Sequence, residues 1–183
     1  MVLLRDIKLL VFDLDGTLVK LNVDWKELKK TLSHQLKMKV NSINATLATL
    51  PSEKRNQSIN LLSHYEMKNI SKMTVNKDIV NFINTNKNYL YALLTNNSRL
   101  SAQEVIRVLK MKGKFNHIIA IDDVDCPKPH PEGLLKILQK LNCLPSQTLF
   151  VGDSEIDLQT GNACKVKTIM IDEFMKNIPI LKR

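Results

Sequence analysis

Ile7-Lys8-Leu9-Leu10-Val11-Phe12-Asp13-Leu14-Asp15-Gly16-Thr17 is an apolar run that ends in two aspartates and a glycine. Its first part, Ile7–Leu14, has the length and the composition of a buried β-strand. Two neighbouring carboxylates repel each other unless a cation lies close by, so this strand end indicates a site for a hard divalent ion. Gly16 lets the backbone turn sharply at that point. Taken alone, the segment is equally compatible with an ordinary strand-to-loop turn.

Further strand-length runs alternate with amphipathic stretches of helical length downstream of this segment. Alternation of this kind predicts the α/β class, with a mostly parallel sheet covered by helices on both faces. Ligands of such sheets bind at the carboxyl ends of the strands. The strand predictions are Tyr89–Leu94, His117–Ile121, Thr148–Gly152 and Lys167–Ile171, and the helix predictions are Asn76–Asn86, Ser98–Lys112 and Pro131–Leu141.

One segment, residues 20–73, carries no strand pattern and predicts a small helical insertion after the first strand. Asp24 has the features of a helix N-cap, and Pro51 and Ser52 mark the start of a second helix that runs through Tyr65 to Lys68. The predicted division is a core of residues 1–19 and 74–183 and an insertion of residues 20–73. An apolar helical stripe predicts the packed face of the insertion: Leu21, Trp25, Leu28, Leu32 and Leu36.

Composition narrows the class of protein. The chain has 183 residues, of which 44% are apolar and 25% charged, and this excludes intrinsic disorder, a collagen-like repeat and a disulfide scaffold. No segment approaches the roughly 20 apolar residues of a membrane span, and charges interrupt the apolar start, so no signal peptide is expected. The cysteines form no CxxC pair, so neither a zinc site nor a disulfide framework is indicated. We therefore expect a cytoplasmic protein.

The formal charge of +9 is concentrated in the insertion, where ten basic and four acidic residues give +6. Such a balance is typical of proteins that meet nucleic acid, a membrane surface or phosphorylated ligands, although a solvated lysine-rich surface has the same composition. The chain has only one Trp, three Tyr and five Phe, few of them near the basic positions. This scarcity disfavours nucleic acid as a partner.

Polar clusters follow three of the other predicted strands. Thr95-Asn96-Asn97 offers hydroxyl and amide groups suited to phosphate oxygens, although a simple turn has the same composition. Lys128 lies between prolines, which restrict its backbone and can aim its side chain. Asp153 ends another strand and Asp157 follows one helical turn later, a spacing suited to metal ligands and also to acidic helix caps.

Together these clusters resemble the haloacid dehalogenase-like superfamily, in its phosphatase branch and closest to phosphoglycolate phosphatase-like members. The resemblance is carried by DLDGT at Asp13, LLT at Thr95, KPHPEG at Lys128 and GDSEID at Asp153, in that order along the chain. It implies a Rossmann-like core with a small α-helical cap inserted after the first strand. Four motifs in order, each after a predicted strand, are a specific signal.

The resemblance also implies roles for the acidic residues. Asp13 would be the nucleophile that forms an aspartyl-phosphate, and Asp15 would be the general acid and then the general base. Mg²⁺ would be bound by Asp13, Asp15 through its backbone carbonyl, and Asp153, with Asp157 assisting directly or through Lys128 or water. Dehalogenases of the superfamily lack an acid at the second position, so Asp15 favours phosphoryl transfer.

The remaining implied roles concern the substrate. Thr95, Asn96 and Lys128 would bind the transferring phosphoryl group. The expected reaction is Mg²⁺-dependent hydrolysis of a small phosphorylated metabolite, such as phosphoglycolate or a sugar phosphate. A phosphomutase of the same superfamily and a nucleic-acid-associated protein that uses the basic cap remain alternatives. The sequence carries no signal of oligomeric state.

Overall fold

The computed structural model describes residues 6–181, so positions 1–5 and 182–183 of the predicted core lie outside the described residues. Two short 3-10 helices, Ile121–Asp123 and Pro145–Gln147, join longer elements. In chain order the elements are β1 (Leu9–Phe12), β2 (Val19–Lys20), α1 (Trp25–Leu36), α2 (Ile43–Leu47), α3 (Ser52–Ile70), β3 (Thr74–Val75), α4 (Lys77–Thr85), β4 (Leu90–Leu94), α5 (Arg99–Val108), β5 (His117–Ile119), α6 (Glu132–Leu141), β6 (Thr148–Gly152), α7 (Glu155–Ala163), β7 (Lys167–Met170) and α8 (Ile171–Leu181).

The five predicted strands form one parallel sheet in the order β5-β4-β1-β6-β7. β1 lies at the centre, with Phe12 in register with Leu93 of β4 and Val151 of β6. The carboxyl ends of these three strands therefore meet at one edge of the sheet. The predicted α/β fold with a parallel sheet is confirmed.

Helices cover both faces of the sheet, as the alternation of strands and helices predicts. On β1 the side chains alternate between faces, because successive residues of a strand point in opposite directions. Leu10 and Phe12 pack with α4, α5 and α8, and Phe12 meets Phe174 edge to face at a centroid distance of 5.4 Å. Leu9 and Val11 pack with α6 on the other face. A core on both faces fixes β1, and with it the position of the residues that follow.

The insertion folds into α1, α2 and α3, which share a separate apolar cluster. Its two ends leave the core side by side, because β2 and β3 pair antiparallel with Val19 opposite Val75. The sequence pattern does not predict these two-residue strands. Arg55 of α3 ties the insertion to the core, since its Nη2 donates to the carbonyls of Ile121 and Val124 at 2.9 and 2.6 Å.

Trp25 and Ser52 differ from the sequence prediction for the insertion. Helical spacing predicts Trp25 in the packed stripe, but it is 39% exposed because the buried part of α1 begins one turn later, at Leu28. Ser52 is predicted to cap the second helix, but α3 already includes it, and no side chain caps that end. Asp24 does cap α1, accepting the backbone N–H of Glu27 at 2.9 Å.

The helices within residues 6–181 include none that is long and apolar enough to cross a membrane.

Candidate active site

The carboxyl ends of β1, β4 and β6 and the loop before α6 surround one cavity of about 450 Å³. Residues of the insertion also line this cavity. Of the residues predicted from the sequence, Asp157 does not line the cavity and lies buried beside it. The predicted residues that do line it are Asp13, Asp15, Thr95, Asn96, Lys128 and Asp153.

Lys128 joins two carboxylates at the floor of the cavity. Its Nζ donates to Asp13 Oδ1 at 2.7 Å and to Asp157 Oδ1 at 2.6 Å, and its side chain is 5% exposed. Burial lowers the pKa of Lys128, but the two carboxylates outweigh that effect and hold the pKa above its ordinary value. Lys128 therefore stays a cation, fixed beside the Asp13 carboxylate.

Asp157 is fully engaged by the protein. Its Oδ2 accepts the backbone N–H groups of Asp153 and Ser154 at 3.2 Å each and the Ser154 hydroxyl at 2.7 Å. Burial raises the pKa of Asp157, but Lys128 and these hydrogen bonds outweigh burial and hold it below its ordinary value. The carboxylate thus orients Lys128 and shapes the turn that carries Asp153.

The nucleophile and acid predicted by the resemblance occupy different environments. Burial raises the pKa of Asp13 from 3.8 to about 7, against the opposing attraction of Lys128. Burial also raises the pKa of Asp15 above its ordinary value, while its Oδ1 accepts the backbone N–H of Leu21 at 2.8 Å. A carboxyl with a raised pKa keeps its proton to a higher pH than an ordinary aspartate and can give it to a leaving group.

The donor set at the cavity floor fits a hard divalent cation. One carboxylate oxygen from each of Asp13, Asp153 and Asp157 lies within 4.8 Å of the others. Gly16 has a φ of +96°, and a Cβ at this position would overlap the Asp153 carboxylate. The glycine therefore lets the DLDGT turn approach Asp153, and an all-oxygen set of this kind suits Mg²⁺.

A hydrogen-bonded loop after β4 presents Thr95 and Asn96. The Thr95 hydroxyl donates to Asn97 Oδ1 at 2.7 Å and accepts the backbone N–H of Asn97 at 3.0 Å. Asn96 pairs with the backbone of Lys128 through both side-chain groups, at 2.9 and 3.0 Å. Asn96 therefore couples this loop to the one that carries the lysine.

The sequence motifs do not identify Glu66, a residue of the insertion that reaches the same loop. Its side chain is fully buried; Oε1 accepts Asn97 Nδ2 at 2.7 Å, and Oε2 accepts the N–H and hydroxyl of Ser98 at 3.0 and 2.7 Å. Burial raises the pKa of Glu66, and the hydrogen bonds offset part of that rise. Glu66 lies one helical turn from Leu62 and one turn from Ile70, and both of these residues are buried. An acid in such an apolar stripe needs hydrogen-bond partners, and this spacing is the sequence signal that could identify Glu66.

The insertion gives the cavity a wall of a different character from its floor. Lys29 is half-buried, and its side-chain amino group makes no ion pair or hydrogen bond within residues 6–181. Trp25 adds an apolar ring face, and the segment before α2 adds amides and a hydroxyl. These polar lining residues are Asn41, Ser42 and Asn44.

Comparison with known proteins identifies the family of this chain. The family model described as haloacid dehalogenase-like hydrolase matches residues 10–171, which include all four motifs. The chain belongs to the haloacid dehalogenase-like hydrolase family. The prediction of an enzyme of this family, of the phosphatase kind, is confirmed at that level.

The family's members include similar chains with narrower descriptions. A pyrophosphatase PpaX of Bacillus mycoides is 25% identical over 186 residues, which cover 93% of this chain and 86% of that protein. A pyrophosphatase PpaX of Bacillus thuringiensis is 33% identical over 88 residues, 48% of this chain and 41% of that protein. A putative phosphoglycolate phosphatase of Lactobacillus plantarum superimposes with a TM-score of 0.70 at 18% identity, covering 95% of this chain and 91% of that chain. That likeness concerns the fold.

Proposed function

We propose that this enzyme is a Mg²⁺-dependent phosphatase that hydrolyses a small phosphomonoester through an aspartyl-phosphate at Asp13. The observation that carries the proposal is the buried Asp13 carboxylate, held at 2.7 Å from Lys128 Nζ at the floor of a cavity that also contains Asp15. This arrangement supplies a nucleophile, a cation and an acid at one point.

The first step uses both aspartates. Lys128 Nζ donates to Asp13 Oδ1, and the other carboxylate oxygen, Oδ2, is the atom that would attack phosphorus. As the Asp13–phosphorus bond forms, the bond to the leaving oxygen breaks and Asp15 gives that oxygen its proton.

The second step returns Asp13 to its starting state. Asp15, now a carboxylate, takes a proton from a water molecule, and the oxygen of that water attacks phosphorus. The bond between phosphorus and Asp13 then breaks, which releases inorganic phosphate. The backbone N–H of Leu21 donates a hydrogen bond to Asp15 Oδ1 and holds the Asp15 carboxyl in place for both proton transfers.

Asp13 and Asp153 would hold Mg²⁺, together with the backbone carbonyl of Asp15 and with Asp157 in support. When bound, the ion offsets negative charge on the phosphoryl oxygens. Support for this site comes from the all-oxygen donor set and from the close approach that Gly16 allows. Asp157 contributes by orienting Lys128, because both of its oxygens already accept hydrogen bonds.

The phosphoryl group would lie between Lys128 and the loop after β4. The Thr95 hydroxyl and the Asn96 region would bind its oxygens, and Asn96 would keep this loop aligned with Lys128. The Thr95 hydroxyl, which donates to Asn97 Oδ1 in this structure, would turn to a phosphoryl oxygen, and donors held at this point stabilise charge that develops in the transition state.

The substrate proposal is a phosphorylated metabolite of the size of phosphoglycolate or a sugar phosphate. A cavity of about 450 Å³ accepts such molecules, and Lys29 with the amides of the wall suits a polar or anionic leaving group. In this proposal residues 20–73 are a cap, and residues 1–19 and 74–183 are the catalytic core. The three free thiols suit a reducing compartment, so we place the enzyme in the cytoplasm.

The test is release of inorganic phosphate from a panel of phosphorylated metabolites, with Mg²⁺ or with EDTA. We expect turnover by the wild type with Mg²⁺ only, and none by Asp13→Asn. Asp78→Asn, on the exposed first turn of α4, is the matched control and should keep full activity. Absence of phosphate release from every substrate in Mg²⁺, or full activity of Asp13→Asn, would refute the proposal. Transfer of phosphate between sugars without its release would favour the phosphomutase.

A further inference from the structure

A second group of metal-binding side chains lies in the loop between β5 and α6. Cys126, His130 and Glu132 each place one ligand atom within 4.8 Å of the other two. None of the three lines the active-site cavity. They belong to a segment of chain that also holds Lys128, between the cysteine and the histidine.

The chemistry of these donors differs from that of the cavity floor. A thiolate, an imidazole and a carboxylate together favour Zn²⁺ and similar thiophilic ions, whereas the oxygen-only set of Asp13 and Asp153 favours Mg²⁺. The spacing Cys-x₃-His-x-Glu contains no CxxC pair, so the sequence pattern for zinc sites does not indicate it.

The carboxylate of this cluster is already oriented by the protein. Glu132 Oε2 accepts the backbone N–H groups of Asp125 and Cys126 at 3.1 and 2.9 Å, and Oε1 accepts Lys136 Nζ at 2.6 Å. Hydrogen bonds from outside the ligand set are what fix carboxylates in metal sites. Glu132 is therefore preorganised, and a cation would bind Oε1 in place of Lys136, whose side chain is 45% exposed and can turn into solvent.

The imidazole is also in a state that can bind a metal. His130 Nδ1 accepts the backbone N–H of Glu132 at 3.2 Å, so Nδ1 presents a lone pair on the side of Glu132. The backbone N–H of His130 donates to Pro127 O at 3.0 Å, which holds the turn between Cys126 and His130. A cation would replace the long hydrogen bond at Nδ1.

We propose that Cys126, His130 and Glu132 form a binding site for one thiophilic divalent cation of the Zn²⁺ type, separate from the Mg²⁺ site. Cys126 binds as the thiolate and releases its proton to solvent. Because His130 is exposed, water completes a four-coordinate site. Since Lys128 lies between two of the ligands, an ion here clamps both flanks of the segment that presents the catalytic lysine.

Co²⁺ spectroscopy tests this site without any use of turnover. The full chain is titrated with Co²⁺ in the presence of excess Mg²⁺, which keeps the oxygen-only site filled. We expect a thiolate-to-cobalt charge-transfer band that saturates at one Co²⁺ per chain and is lost when Zn²⁺ is added. Cys126→Ser should abolish the band, because Cys143 and Cys164 are buried and neither belongs to this group of ligand atoms.

His130→Asn is the second variant, and it retains the thiol. It should weaken Co²⁺ binding at least about tenfold, since loss of even an outer partner of a metal ligand weakens binding about 10–100-fold. His34→Asn, an exposed histidine on α1, is the matched control and should bind Co²⁺ like the wild type. A wild type without the band, a band that persists in Cys126→Ser, or unchanged affinity in His130→Asn would overturn the proposal.

Discussion

Glu66→Gln replaces the one carboxylate that α3 sends into the loop after β4. Glutamine has one acceptor oxygen where Glu66 uses two, so either Asn97 or Ser98 faces an NH₂ group. If the glutamine oxygen faces Ser98, the Asn97 amide must turn over to accept from the new NH₂ group. The NH₂ group of Asn97 then points toward Thr95, so Asn97 donates to the Thr95 hydroxyl instead of accepting from it.

The magnitude follows from the number of donors affected. A buried donor without an acceptor costs about 1–3 kcal/mol, so Glu66→Gln should lower the free energy of unfolding by about that amount. Glu66→Leu leaves three donors without acceptors, Asn97 Nδ2 and the N–H and hydroxyl of Ser98, and should cost about 3–9 kcal/mol by the same figure. Glu53→Gln, on the exposed first turn of the same helix, should change stability by less than about 0.5 kcal/mol.

Urea unfolding measures the loss of stability in these variants, and steady-state kinetics measure the loss of activity. Trp25 is the only tryptophan, so its fluorescence reports on the insertion while circular dichroism reports on the whole chain. We expect Glu66→Gln to lower kcat/KM, because the Thr95 hydroxyl no longer has its native orientation. An unfolding midpoint and a kcat/KM equal to those of the wild type would refute the reasoning that Glu66 positions this loop.

Three further predictions concern the cavity floor. Gly16→Ala should weaken Mg²⁺ binding, because the new Cβ displaces Asp153. Thermal unfolding with and without Mg²⁺ measures this effect. A rise in Tm on addition of Mg²⁺ as large as that of the wild type would contradict it. Lys128→Met should abolish turnover and destabilise the metal-free protein by about 3–5 kcal/mol, since it leaves two carboxylates buried without their cation. A free energy of unfolding in urea that is equal for Lys128→Met and the wild type would contradict this prediction. The apparent Mg²⁺ affinity should fall as pH drops through about 7, because a proton on Asp13, whose pKa is raised to about 7, competes with the metal. Calorimetry on either side of that pH should show more protons released per Mg²⁺ on the acidic side; equal affinity and equal release would contradict the raised pKa.

The chain offers matched controls for two of these variants. Gly113 also has a positive φ, of +79°, but a Cβ there meets nothing within 4 Å. Gly113→Ala therefore carries the backbone strain of Gly16→Ala without the displaced carboxylate, and it should leave Mg²⁺ binding unchanged. Lys140→Met removes an exposed lysine of α6 and should leave turnover unchanged.

The parallel sheet is readable from the sequence because its strands are buried on both faces. Such strands are continuous apolar runs, and polar residues begin where they end. Thr148–Gly152 is predicted with its observed bounds, whereas the predicted strand Ile7–Leu14 shortens to Leu9–Phe12 because the ladder of β1 covers only those residues. The same pattern of apolar runs with polar ends is enough to predict that Asp13 and Thr95 lie at one edge of the sheet.

The contacts of the insertion with the core cannot be predicted in this way. Glu66 and Arg55 meet groups far away along the chain, and helical periodicity carries no information about those partners. Trp25 fits the stripe of α1 by spacing, yet it lies on the turn that faces the cavity. β2 and β3 are too short to show any alternation of apolar and polar residues.

The β2–β3 pair has a consequence for how this family of chains can diverge. Because Val19 and Val75 are neighbours, the insertion is a closed loop on the core, and doubling the length of a flexible loop costs only about 0.6 kcal/mol of closure entropy. Helix α3 is held to the core by Glu66 and Arg55, so its length is constrained. The exposed connection at residues 37–39, outside the apolar cluster that α1 and α2 form with α3, can therefore lengthen at little thermodynamic penalty. Because this connection precedes the segment that supplies Asn41, Ser42 and Asn44, the lining of the cavity can change over evolutionary time while the folding stability of the sheet is conserved.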